Sequence, residues 1–210
     1  MENYVITVAR GYGSGGRTIA QMLAKELGIP FYDRDILQLA SDDSGISADL
    51  FAANEEKQKK RGLKLFSKKK NVYEGDMITP DSSDFTSTDN LFNYEAKIIK
   101  DLSKKESCVI VGRCADYVLK DEKNVLRVYI HAPLQHCIEV VAPMKNMSEK
   151  EAAKFIKKTD KERAGYYYYH TGNRWNDAGN YDLCLNTESL SYETCVSLIK
   201  NFMKIYFECV

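Results

Sequence analysis

Four glycines fall within the six residues from Gly11 to Gly16, directly after the apolar, β-branched run Tyr4 to Ala9 (YVITVA). Glycine at that density is costly in conformational entropy. It is retained where something must approach the backbone closely or where φ must be positive. The run before it suits a buried first strand of a parallel sheet. After it, Ile19, Met22, Leu23 and Leu27 recur at helical spacing, and Gly28 with Pro30 supplies the stop. Strand, glycine loop and helix in that order gather backbone N–H groups and the positive end of a helix around one point, an arrangement that binds anions.

Two motifs overlap on this loop. Gly11-Tyr12-Gly13-Ser14-Gly15-Gly16-Arg17-Thr18 matches the triphosphate pattern G-x-x-x-x-G-K-[ST] at every defined position except the lysine, where Arg17 stands. Gly11, Gly13 and Gly16 also satisfy G-x-G-x-x-G, with Asp33 about 20 residues further on, as a dinucleotide site requires. A glycine-rich turn that only joins strand to helix is the plain structural alternative. Arg17-Thr18 favours the triphosphate, because that ligand needs a cation on its outer phosphates and a hydroxyl at magnesium, whereas a dinucleotide needs neither. Arginine keeps the charge of lysine but brings a planar fork in place of a compact ammonium.

Further along, Ile29 to Asp33 is expected as a second strand, and Arg34 to Ala40 as the start of a helix. The stretch 41–90 carries the basic run Lys57 to Lys70, then Gly75, Pro80 and the polar segment Asp81 to Asp89, and is expected to be helix and then mobile loop. Leu91 to Leu102 has helical spacing and feeds the apolar strand Cys108 to Val111. Val125 to His131 and Tyr181 to Asn186 complete the strands, with helices over Leu134 to Val141 and Ser191 to Phe207. Strands alternating with helices argue for one domain over 1–210 with a doubly wound parallel sheet, its ligand site at the carboxyl ends of the strands.

Arg113 directly follows a strand, where an acceptor phosphate could be held, although a surface salt bridge explains the position equally well. Between Ile156 and Asn180 the residues Asp160, Arg163, Arg174 and Asp177 are set among Tyr166 to Tyr169, His170 and Trp175. A connection this long is expected to act as a lid over 156–180, whose arginines neutralise a transferring phosphoryl group. The four tyrosines fit better as ordinary packing, since consecutive residues cannot share one helix face.

Charge balance excludes several function classes. Lys plus Arg number 30 and Asp plus Glu number 30, so no global field draws the chain to nucleic acid or to an anionic membrane. The lysine run reads as a solvated face. No apolar run reaches membrane-spanning length, the N-terminus is too short and polar for a signal peptide, and a cytoplasmic location is expected. The six cysteines form no C-x-x-C pair and read as buried reduced thiols; with the three histidines they show no zinc spacing.

Four strings resemble the cytidylate kinase-like proteins, a branch of the P-loop nucleoside monophosphate kinases: ITVARGYGSGGRTIAQMLAKELGIPFYD, CVIVGRCADYVL, VYIHAP and TDKERAGYYYYHTGNRWNDAGNYDLCLNT. The resemblance covers nearly the full length. It implies a three-layer α/β/α P-loop fold with a mostly parallel sheet, an acceptor-binding region over 41–90 and a lid. It implies phosphoryl transfer from ATP, with Mg2+, to a nucleoside monophosphate such as CMP or dCMP. By motif, Gly11, Gly13, Ser14, Gly15, Gly16, Arg17 and Thr18 would hold ATP, Thr18 and Asp33 would lie at the metal, Asp33, Arg113 and Asp160 at the acceptor, and Arg17, Arg163 and Arg174 on the transferred group. Arg17, Cys114 (where aspartate is usual after G-R) and the stretch 41–90 depart from true cytidylate kinases. Two rivals stand beside this reading: a nucleotide-binding regulator without turnover, and a dinucleotide-dependent oxidoreductase.

Overall fold

The computed structural model describes residues 3–65, 75 and 77–208, the side chains of 58–65 excepted. The sheet has five parallel strands: β1 (Val5–Arg10), β2 (Phe31–Tyr32), β3 (Cys108–Val111), β4 (Val125–His131) and β5 (Leu183–Asn186), in the order β2-β3-β1-β4-β5. This is the P-loop α/β fold with a parallel sheet expected from the alternation of elements. β1 lies at the centre, flanked by β3 and β4, and the chain leaves it toward opposite sides of the sheet. Strand order reverses there, so a crevice opens at its carboxyl end.

Alternation along the strands divides the core. Ile6, Val8, Val109, Val111, Leu126 and Val128 meet helices α1 (Gly16–Leu27) and α8 (Tyr192–Glu208). Val5, Cys108, Ile110 and Val125 face the other way, onto α2 (Asp35–Ser44), α4 (Thr88–Lys105) and α5 (Ala115–Val118). Helices α6 (Leu134–Lys145) and α7 (Glu149–Thr171) form a smaller cluster with Tyr12. Helix α3 (Ala48–Leu65) packs along α7.

Several expected bounds move. The second strand shortens to two residues, and α4 begins three residues before Leu91 because Ser87 caps it, accepting from the Asn90 N–H at 3.3 Å. Within 41–90, α2 runs on to Ser44 and α3 follows; the latter part of the basic run lies outside the described residues. Most of the segment 156–180 belongs to α7, a helix of 23 residues opened by a Ser148–Glu151 capping box and closed by Gly172 at φ 73°. Four successive tyrosines hide its period, and three of them dock on different neighbours. Tyr166 packs edge-on to Phe92, the Tyr167 hydroxyl donates to Asp116 at 2.5 Å, and the Tyr169 hydroxyl donates to Asp89 at 3.0 Å. The thiols of Cys108, Cys114, Cys137 and Cys195 are buried as expected. Cys184 is exposed instead, because β5 is an edge strand, and Cys209 lies outside the described residues.

Burial raises the carboxyl pKa of Asp116 to about 6, against the lowering effect of the Tyr167 hydroxyl. Below about pH 3 this group is neutral in folded and unfolded chains alike. As pH rises from about 4 to about 6 the unfolded chain gives up the proton while the folded chain keeps it, so folding stability falls by on the order of 3 kcal/mol over that window. Buried His170, whose pKa burial lowers to about 3, acts in the opposite sense: its contribution is lost as pH drops below about 6.5. Asp116→Asn is therefore expected to gain stability over the native chain at pH 7 but not at pH 4. Urea unfolding at the two pH values measures the difference, and an equal gain at both would refute the assignment.

Candidate active site

The loop from Gly11 to Thr18 leaves β1 and enters α1 at the point where strand order reverses. Its glycines are required from outside as well as inside. A β-carbon on Gly13 (φ 85°) would meet Val141 and Cys137 of α6 at 2.9 and 3.0 Å, and one on Gly15 (φ 75°) would run into the Tyr192 ring of α8. One on Gly16 would lie 2.5 Å from Arg10 Cβ. Neighbouring helices thus press on the outer surface of the loop and fix its curve. Among the described residues, the N–H groups of Gly13, Gly15, Arg17 and Thr18 have no hydrogen-bond acceptor, and the N-terminus of α1 has no side-chain cap. Uncapped N–H groups at a helix start attract an anion.

The remaining N–H groups of the loop are tied down. That of Gly11 donates to the Ile130 carbonyl at 2.9 Å and that of Tyr12 to Asp160 Oδ1 at 2.8 Å. Ser14 Oγ is fully buried, 2.9 Å from the Gly11 carbonyl and 3.1 Å from that of Ile130, while Thr187 Oγ1 donates to the Ser14 carbonyl at 2.9 Å. The Ser14 side chain therefore anchors the loop to β4 and does not face a ligand.

Charged groups from four other elements converge on the loop. Arg163, on α7, donates to the Arg10 carbonyl at 3.0 Å, lies 3.4 Å from Asp160 Oδ1 and stands over the Tyr12 ring. Burial lowers the Arg163 pKa although Asp160 opposes it, and burial raises that of Asp160 although the Tyr12 N–H opposes it. Arg17 Nε holds Asp33 at 2.7 Å, bending across from α1 to the end of β2; Arg17 is 55% exposed and Asp33 12%. Thr18 is exposed in the first turn of α1.

Arg113 is held differently. It sits between Gly112 and Cys114 in a run of three left-handed residues, with φ 75°, 56° and 54°. Two of these carry side chains, so the turn stores strain of the kind found at functional sites. The strained turn aims Arg113 Nε at the Asp33 carbonyl (2.8 Å), its NH1 at Glu95 (2.9 Å) and its NH2 toward Glu55 (3.5 Å). Burial works against its charge, but Glu95 and Glu55 outweigh burial and raise its pKa.

The structure thus brings Arg17, Asp33, Asp160, Arg163 and Arg113 around one loop. Arg174 stands apart on the connection after α7, exposed; its carbonyl accepts from Asn180 Nδ2 at 2.7 Å, and the next residue, Trp175, is buried against Tyr129. Sequence reasoning passed over Arg10, Glu55 and Glu95. Arg10 ends an apolar strand with no motif of its own, and its alternation with Ile6 and Val8 was the signal that could have placed it on the α1 face. Among the described residues no group of three or more His, Cys, Asp or Glu side chains could hold a metal, and no helix is long and apolar enough to cross a membrane.

Parallel sheet, loop and converging arginines define a P-loop kinase fold. Shikimate kinase from Bacteroides thetaiotaomicron superposes with a TM-score of 0.52 at 14% identity, covering 96% of this chain and 98% of that one. A gluconokinase from Sinorhizobium meliloti gives 0.50 at 13% identity, covering 98% and 97%. An uncharacterized protein from Eubacterium ventriosum is more similar, with a TM-score of 0.70 at 23% identity over 96% of this chain and 99% of that one. No curated protein sequence matches the chain. A model of the cytidylate kinase-like family matches residues 5–189, and the chain belongs to that family.

Proposed function

We propose that the protein transfers a phosphoryl group from ATP to a nucleoside monophosphate, CMP or dCMP. The observation that carries this reading is the convergence of Arg163, Asp33 and Arg113, from three separate elements, on a loop whose N–H groups lack acceptors. Such a site needs no side-chain nucleophile; it works by alignment and by offsetting charge. The N–H groups of Gly13, Gly15, Arg17 and Thr18 would hold the phosphate chain, with Asp160 keeping the loop in shape through Tyr12. Arg17, Arg163 and Arg174 would neutralise the transferring group, Arg174 after closure of the connection that carries it.

A hard cation fits the donors present, since magnesium takes a hydroxyl and one or two carboxylates and completes its shell with phosphate oxygens and water. Thr18 Oγ1 and Asp33 would hold it, and Arg17 would release Asp33 as it turned to the phosphates. Held there, a magnesium ion would supply positive charge that offsets the charge of the phosphates. Arg113 faces the acceptor side, where an acceptor phosphate would compete with Glu55, the more distant of its two carboxylates.

One observation favours a second reading. The cation at the lysine position is already paired to Asp33, as would suit a regulator that binds ATP without turnover. ADP release from MgATP with CMP, dCMP, UMP, AMP and GMP offered separately, and with shikimate and gluconate added because two structural neighbours carry those names, decides between them. Turnover with CMP or dCMP, lost by about a hundredfold in Thr18→Ala, is expected by analogy with other groups that stabilise a transition state. Turnover with another acceptor would correct the substrate, and ATP binding without any product would favour the regulator.

A further inference from the structure

We propose that Arg10, rather than Arg17, supplies the innermost positive charge of the phosphate loop and contacts the terminal phosphate oxygens of the bound triphosphate. The inference rests on the triphosphate reading above and assigns a residue outside the loop motif to its central electrostatic task.

The side chain of Arg10 runs from the end of β1 across the start of α1 to the end of β3. Its Cβ and Cγ lie 2.5 and 3.3 Å from the point where a β-carbon on Gly16 would sit, and its NH1 lies 2.5 Å from the corresponding point on Gly112. Both glycines therefore leave space that this one side chain uses, Gly16 for its stem and Gly112 for its guanidinium. Gly112 also takes a left-handed φ of 75°, while its N–H still donates to the Val8 carbonyl of β1 at 3.1 Å. The guanidinium lies between the exit of the glycine loop and the strand end that carries Arg113, where an outer phosphate would lie.

Arg10 also lacks what the other arginines of the site have. Arg17, Arg113 and Arg163 each donate to a carboxylate or carbonyl, whereas the Arg10 guanidinium makes no hydrogen bond or ion pair with any described residue. A largely buried guanidinium without an acceptor is costly, and a ligand oxygen removes that cost. Burial lowers its pKa to about 9, with like-charged Arg163 and Arg113 adding to the effect and Asp33 and Glu55 opposing it. It remains charged at neutral pH, and an anion between it and Arg163 would relieve their repulsion. Arg17, by contrast, is spent on Asp33 and more than half exposed.

Tripolyphosphate, a phosphate chain without base or sugar, is the direct probe, titrated by calorimetry into the native chain, Arg10→Met, Arg10→Lys and Arg17→Met. Native protein should bind it. Arg10→Met should bind about ten- to a hundredfold more weakly, the loss of one charged hydrogen-bonding group, and Arg17→Met should lose distinctly less. No binding by the native chain, unchanged binding by Arg10→Met, or a larger loss in Arg17→Met would each overturn the proposal. If circular dichroism shows that Arg10→Met does not fold, Arg10→Lys decides: its single ammonium should bind several-fold more weakly, as expected for losing a planar fork, and equal affinity overturns the assignment. Acceptor turnover plays no part in this readout. Binding through Arg10 without phosphoryl transfer would keep the inference and end the kinase reading, and turnover with an unaffected Arg10→Met would do the reverse.

Discussion

Arg113→Ala is expected to cost about 3–5 kcal/mol of folding stability, the penalty for breaking a buried ion pair from one side. Glu95 is only 4% exposed and Arg113 7%, and they meet at 2.9 Å. Removing the guanidinium takes its ion pair from that buried carboxylate and frees the Asp33 carbonyl, so the link between β2, β3, α3 and α4 is lost at its centre. Alanine would also keep the left-handed φ of 56° without the contacts that support it. Arg113→Lys should recover only part of the loss, because one ammonium cannot reach Asp33, Glu95 and Glu55 in the fixed directions of a guanidinium. Arg113→Met combined with Glu95→Gln should recover more, since both charges of the pair are then removed together. Urea midpoints for the native chain and the three variants measure this, and an Arg113→Ala protein within about 1 kcal/mol of native, the range of an exposed ion pair, would show that the pair is structurally idle. The structure thus adds a task to the acceptor-side role expected for this residue: it fixes the backbone of Asp33, the carboxylate proposed to hold the metal.

The second large effect is expected at Arg163, whose replacement by alanine should lower kcat by about a thousandfold, the lower end of what an arginine on a transferring phosphoryl group contributes. Its guanidinium is 23% exposed and rests on the Arg10 carbonyl at 3.0 Å, so it is aimed at the loop before any ligand arrives. Preorganised charge of this kind acts on the transition state more than on ground-state binding, so the KM for ATP should change far less than kcat. Asp160 keeps its bond to the Tyr12 N–H in the variant, which should hold the loop and the thermal midpoint close to native. Arg163→Lys should restore little. A kcat within tenfold of native, at an unchanged midpoint, would remove Arg163 from the reaction.

The core strands, the glycine loop and the helix after it could be read from the chain because their signals lie within a few consecutive residues: apolar runs, a 3.6-residue period, positive φ at glycine. The parallel sheet followed from their alternation, and the family from short strings in a fixed order. Elements whose side chains serve several partners were less legible. Helix α7 lost its period to Tyr166 through Tyr169, of which Tyr166, Tyr167 and Tyr169 turn to different neighbours, and β2 shrank because only Phe31 and Tyr32 pair with β3.

The partners of the charged residues were decided by tertiary structure alone. Sequence placed Arg17 in the motif and Arg113 at a strand end, but nothing near either one announces Asp33, Glu95 or Glu55 as its counterpart. Those contacts exist because the order β2-β3-β1-β4-β5 brings the ends of β1, β2 and β3 together, while α3 and α4 fold back across them. Arg10 shows the limit most clearly. Its identity at the end of β1 is plain in the chain, yet its want of a partner and its passage between Gly16 and Gly112 arise only when residues more than a hundred positions apart meet at one edge of the sheet. Conformational preference is a property of neighbours in sequence, whereas charge pairing and burial are properties of neighbours in space.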